Sequence, residues 1–193
     1  MKKLMLAASA AVVLAGCAAG GAFGPAPKDG ELAQPTDYKS WPVFLAGIEK
    51  PTGHIRDIYI NPTGASAKKG DAFPNGTVSV MDIYKATKTG DKMTKANLEK
   101  VFVMYKGNNW GSTAPEGMKT GDWVYAAFDA NGQPAKVDYA TCRGCHLPLA
   151  DKDYIFHYDK YFDTRKSAQI LDGHAGKVAM SIEEAHLAAL VTK

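Results

Sequence analysis

Cysteine is scarce in this chain, three residues in 193, too few for the multi-disulfide framework that staples small secreted domains. No internal repeat is visible, which excludes a solenoid or propeller. No Gly-rich phosphate loop is present, which removes the common nucleotide-binding devices. The apolar run from Leu4 to Ala15 is shorter than the roughly 20 residues that span a bilayer. Charge is nearly balanced: the formal net charge of +3 falls to +1 once Lys2 and Lys3 leave with an N-terminal signal. Net charge therefore points neither to nucleic acid nor to an acidic membrane surface.

The three cysteines that remain are placed informatively. Cys142-Arg143-Gly144-Cys145-His146 is a C-x-x-C-H run, the signature of covalent haem attachment in c-type cytochromes. A tight turn holds two thiols at the porphyrin edge, where each adds to a vinyl group, and the next residue brings an imidazole beneath the iron. Cys142 and Cys145 are the expected thioether anchors and His146 the expected axial ligand, with one haem c per chain. A zinc site and a thiol-disulfide redox pair share C-x-x-C. Zinc lacks two further ligands, since Cys17 is more than a hundred residues away and His157 supplies one at most. A thioredoxin-like site needs a βαβ setting, and the segments before Cys142 read as antiparallel strands.

Met1-Lys2-Lys3, the apolar run and Leu14-Ala15-Gly16-Cys17 form an export signal. The ending resembles the lipobox of bacterial lipoproteins, in which Cys17 is acylated and becomes the mature N-terminus. An ordinary secretory signal cleaved around Ala18 to Ala22 is the other reading, and both place the protein outside the cytoplasm. The expectation is a periplasmic lipoprotein that meets the membrane only through its anchor. No thiol is then left for a disulfide, so the core and the cofactor must hold the fold.

The expected organisation is a signal peptide over 1–16, a flexible Gly/Ala/Pro-rich tether over 17–35, and one haem-binding domain over 36–193. A hydrophobic fraction of 46% suffices for a real core. Asp37 to Leu45 reads as a short helix with Trp41 and Phe44 on one face. Ile55 to Ile60 alternates as a strand, with Arg56, Ile58 and Ile60 on one side. Thr77 to Lys85 alternates as a second strand carrying Ser79, Met81 and Ile83 on one face, and Lys88 to Asp91 reads as a loop. Val101 to Lys106 and Trp123 to Asp129 complete four strands. Ser181 and Glu184 form a capping box before a last helix from Ile182 to Val191. The fold class is α+β and β-rich, an antiparallel sheet with a few short helices and the haem motif near the C-terminus.

Helical His/Met electron-transfer cytochromes carry C-x-x-C-H near the start and a methionine downstream, whereas here strands precede the motif and only Met180 follows it. Gly53-His54-Ile55-Arg56-Asp57-Ile58-Tyr59-Ile60, Phe73-Pro74-Asn75-Gly76-Thr77-Val78, Gly121-Asp122-Trp123-Val124-Tyr125 and the haem motif, in that order, resemble the cytochrome P-460 and cytochrome c'-beta family. The resemblance implies a β-sheet homodimer with one c-type haem per chain, a proximal histidine and an open distal side. One branch of that family oxidises hydroxylamine, using a lysine cross-linked to the porphyrin, a distal arginine and a carboxylate. The other binds diatomic gases, nitric oxide especially, beneath phenylalanines.

On this resemblance the cross-linking lysine falls at Met81, whose thioether cannot make the bond. Lys85, on the same face, lies roughly 13 Å along the strand. Arg56 matches the distal arginine. The carboxylate has no clear counterpart, Glu116 being the nearest acid, in a loop. Phe44 and Phe73 have the separation of the two distal phenylalanines, and the expected distal pocket is Phe73, Phe44, Arg56 and Met81. The leading expectation is a five-coordinate haem c that binds nitric oxide or another diatomic gas and meets a periplasmic redox partner, with no nucleic-acid role. Hydroxylamine oxidation and plain electron transfer are the alternatives, so whether the chain is an enzyme stays open here.

Overall fold

The computed structural model describes residues 26–165. The signal peptide, Cys17 and the expected helix from Ile182 to Val191 lie outside the described residues. Five antiparallel strands pair in chain order as a meander: β1 (Val43–Lys50), β2 (His54–Ile60), β3 (Val78–Thr89), β4 (Lys92–Lys106) and β5 (Trp123–Asp129). The helices are short: α1 (Pro62–Ala65), α2 (Tyr139–His146) and a helical segment over 158–165, called α3 below. Short 3-10 turns at Tyr38–Ser40, Trp110–Thr113 and Leu147–Lys152 fill the connections. The architecture is the β-rich α+β fold that the alternating segments predict.

Alternation divides the sheet into two faces. In register across β2, β3, β4 and β5, Ile58, Met81, Phe102 and Ala127 form one row. One face, with Phe44, Ile60, Phe73, Trp123 and Tyr125, packs beneath Ile155 and the α3 residues Tyr158, Tyr161 and Phe162. The other carries Val80, Val101, Val103, Ala126 and Phe128 against Tyr38. β5 lies at the sheet edge yet six of its seven residues are buried. Upstream chain covers that edge: Gly30 N donates to Tyr125 O at 2.8 Å and Tyr125 N donates to Asp29 Oδ1 at 2.9 Å. Asp29 and Gly30 fall within the expected 17–35 tether, and these bonds tie them to the domain.

The expected helix from Asp37 to Leu45 is corrected to a single 3-10 turn followed by β1. Pro42 cannot lie inside a helix, and the apolar run after it pairs with β2 through the turn closed by Gly53, whose φ is +76°. Trp41 and Phe44 consequently contact different faces of the sheet. The expected loop over Lys88 to Asp91 shrinks to Gly90 and Asp91, because a polar ladder continues through Thr87↔Thr94 and Thr89↔Lys92. Exposed on both sides, that ladder has no alternation to betray it. After β2, Asn61 caps α1 by accepting from Gly64 N at 3.0 Å, with Pro62 at the first helical position. A Cβ on Gly64 would lie 2.5 Å from Ile60 Cγ1, so glycine is needed for this close packing.

The face away from the haem motif contains a buried polar centre. Asp82 is fully buried and accepts from Tyr38 Oη at 2.8 Å, Tyr84 Oη at 3.0 Å and Lys39 Nζ. Burial, and after it the neighbouring carboxylate, push the Tyr38 phenol up to about 12. Asp82→Ala strands a buried hydroxyl and is expected to cost about 1–3 kcal/mol. Asp82→Asn, which keeps an acceptor, should cost less; urea unfolding of both variants checks the order.

Candidate functional site

A cleft of about 330 Å³ opens between the sheet and α2. Its floor is the face predicted from alternation: Arg56 and Ile58 of β2, Ser79, Met81 and Ile83 of β3, Phe102 and Met104 of β4, Tyr125 of β5. Cys142, Cys145 and His146 line it from α2, and Ile155, Phe156 and His157 from the chain that follows. The fold thus brings together the motif and three of the four expected distal residues. Phe44 is one of them. Phe73 is not among the lining residues: it lies behind Phe44, ring centroids 6.4 Å apart, and packs edge-on against Trp123 and Tyr158. Lys85 is absent from the lining, in keeping with its distance along β3; the lining lysine is Lys50, at the end of β1.

The haem motif is helical because Asp138 caps it, accepting from Ala140 N at 3.0 Å and from Thr141 Oγ1 at 2.9 Å. One helical turn sets the spacing of Cys142 and Cys145, both free thiols, and places His146 beside them. Arg143, between the cysteines, turns the other way and is almost wholly buried. Its Nε and Nη2 form a fork onto Asp29 at 2.7 and 2.8 Å, and its Nη1 donates to Thr120 Oγ1 at 3.2 Å. The guanidinium carbon also lies 5.1 Å from the Tyr125 ring centroid. This bidentate ion pair joins the motif to chain 114 residues upstream.

His146 is held by a second set of contacts. Its Nδ1 lies 2.6 Å from Tyr154 O, so Nδ1–H donates to that carbonyl and the Nε2 lone pair is left for a metal. Burial pushes the imidazole pKa down, favouring the neutral ring that ligation needs. Tyr125 and Phe156 meet the ring edge-on, at 5.5 and 4.9 Å between centroids.

The Tyr154 carbonyl is fixed by its neighbour. Asp153 and Tyr154 both have left-handed backbones, φ +50° and +61°, a conformation that costs non-glycine residues energy. Asp153 is anchored three ways. Lys106 Nζ donates to its carboxylate at 2.7 and 2.8 Å, Phe73 N donates to Oδ2 at 2.8 Å, and Trp123 Nε1 donates to its carbonyl at 2.9 Å. Neither Lys106 nor Asp153 was singled out by sequence, and no local pattern marks a pair 47 positions apart.

These residues fit a haem. The floor is apolar, two thiols and an imidazole with a free nitrogen share one wall, and buried Arg56 Nε has no hydrogen-bond partner. Burial pushes the Arg56 pKa down, and a haem propionate or a bound ligand would satisfy the group. The competing chemistries fit less well. Among the described residues no three His, Cys, Asp or Glu side chains converge as metal ligands. The Cys142 thiol is pushed up, by burial first and then by the charge of Asp29, opposite to the activated thiolate of a redox pair.

No curated protein matches the chain. The family model Cytochrome P-460 matches residues 35–157, from just before the first 3-10 turn through the haem motif to His157 at the cleft. The match covers well over half of the chain and includes every strand and the C-x-x-C-H helix. This chain belongs to the cytochrome P-460 family, as a haem-binding cytochrome.

Proposed function

We propose that the protein is an exported c-type cytochrome that binds nitric oxide, or another uncharged diatomic gas, at a five-coordinate haem carried by Cys142, Cys145 and His146. The observation that carries this reading is the composition of the cleft: Phe44, Ile58, Met81, Ile83, Phe102 and Met104 line it, and no carboxylate is among its described lining residues. When bound, haem iron supplies one open coordination position for the gas. His146, oriented by Tyr154 O, would hold the iron through Nε2. The floor is mostly aliphatic and aromatic, with Arg56 and Ser79 as its hydrogen-bonding groups, so it disfavours water while an uncharged gas enters freely. Lipid attachment at Cys17, a periplasmic location and a homodimer belong to the same proposal.

Arg56, lining the cleft with a free Nε, is the observation that favours hydroxylamine oxidation. That chemistry also needs a proton acceptor at the reacting nitrogen and a lysine on the porphyrin. On the family resemblance Met81, which pairs with Ile58 and Phe102, stands where that lysine would be. Plain electron transfer would need a sixth ligand, for which Met81, Met104 and His157 are candidates in the lining.

Spectroscopy separates the three. The ferrous protein is expected to be high-spin and five-coordinate and to bind carbon monoxide and nitric oxide readily; a low-spin spectrum with slow ligand binding selects electron transfer. Cys142→Ser or Cys145→Ser should weaken retention of haem in denaturant, and the double variant should lose it to acidic organic solvent. Wild-type haem extracted by that solvent would refute attachment. The native ferrous band should lack a red shift, and proteolysis should leave on the haem only the peptide with Cys142 and Cys145. A second attached peptide, carrying Lys50 or Lys85, would select the oxidase. Lys106→Met leaves the Asp153 carboxylate without its cation and is expected to cost about 3 kcal/mol of stability. By loosening Tyr154 O it should also raise the midpoint potential, because a weaker bond to Nδ1–H makes His146 a less basic ligand.

A further inference from the structure

We infer that Tyr161 is the positioning residue that holds Phe44 over the cleft, so that α3, beyond the family match, sets how large a ligand can reach the iron; this rests on the gas-binding reading above. Phe44 lines the cleft and Tyr161 does not. The two rings stack, centroids 4.1 Å apart and planes 17° from parallel, and each residue is about 4% exposed. The family match ends at His157, four positions before Tyr161.

The strand backbone alone does not fix Phe44. β1 is an edge strand, and its pairing with β2 shifts register between Val43 and Leu45 and again between Leu45 and Ile48. Phe44 lies at the first of these irregularities, where a strand bends and side chains are re-aimed. Its ring direction is therefore set by what packs behind it. Behind it are Tyr161 and, at 6.4 Å, Phe73, which is stacked in turn on Phe162.

α3 can serve as a fixed backing because its two ends are tied to α1 and to the chain after it. Tyr158 Oη donates to Asp71 O at 2.7 Å and accepts from Gly70 N at 2.8 Å. One turn beyond Tyr161, Arg165 Nη1 donates to Ala65 O. Removing the Tyr161 ring leaves a void on the far side of Phe44 that the anchored helix cannot close. The Phe44 ring can then rotate into that void and enlarge the cleft.

The test uses haem-loaded protein in the ferrous state, with carbon monoxide and n-butyl isocyanide as small and large probes. Tyr161→Ala is expected to raise isocyanide affinity roughly tenfold relative to carbon monoxide, the low end of the scale for one methylene admitted to an apolar pocket. Tyr161→Phe, which keeps the stacked ring, should behave as wild type. Phe44→Ala should relax selectivity to a similar extent, and Phe44→Ala/Tyr161→Ala should add little to it, because both act through one ring. If Tyr161→Ala does not fold with haem, Tyr161→Leu supplies the loss of stacking with most of the volume kept. Unchanged selectivity in the folded variant, or effects of the two sites that simply add, would overturn the role of Tyr161 while leaving gas binding intact. Wild-type protein that binds neither probe would overturn the gas-binding reading itself.

Discussion

One carbonyl orients the His146 imidazole, and a set of buried polar contacts aims it. Tyr154 O accepts from His146 Nδ1, and Tyr154 is held left-handed beside a left-handed Asp153. Such a pair of non-glycine residues does not persist unaided. The bonds from Lys106, Phe73 N and Trp123 Nε1 to Asp153 compensate, drawing on β4, the loop before β3 and β5 together. The proximal side is thus referenced to the rigid sheet rather than to its own loop. A buried ion pair seldom adds much net stability, and its value here is specificity of geometry.

The haem motif is pinned on its other side by Arg143. The guanidinium forks onto Asp29, and Asp29 in turn accepts from Tyr125 N on the outer edge of β5. One carboxylate therefore neutralises a buried cation and blunts a sheet edge that would otherwise offer unpaired backbone groups. The x positions of C-x-x-C-H are often regarded as spacers. Here one of them ties the motif to the start of the described chain.

The charges of the cleft bear on its chemistry as much as its shape does. Lys50, Arg56 and His157 are its ionisable side chains apart from the motif and Tyr125. Burial and the neighbouring cations Lys50, Lys160 and Arg56 push the His157 pKa down, so this rim is positive or neutral. Such a rim suits haem propionates, while the apolar floor suits an uncharged ligand. A proton-abstracting mechanism would need a base near the reacting atom, and apart from the motif the lining offers His157, held toward its neutral form, in place of a carboxylate.

The sequence determined the kinds of chemistry and the faces of the strands. C-x-x-C-H is a local pattern that points to haem, readable from five residues, and the alternation of β2 and β3 reflects burial on a two-sided sheet. Arg56 and Met81 are legible through the family resemblance, and a period of two agrees with it, placing both on the face that lines the cleft. β1 was not legible, because its apolar residues also fit a helical spacing and only pairing with β2 decides between the two. Phe73 shows the same limit, as its spacing from Phe44 says nothing of which ring stands in front. The tertiary structure alone decided the partners Asp29 and Arg143, Lys106 and Asp153, and Phe44 and Tyr161. Each is a contact between distant residues whose energy comes from burial and exclusion of water, conditions that exist only once the chain has closed around them.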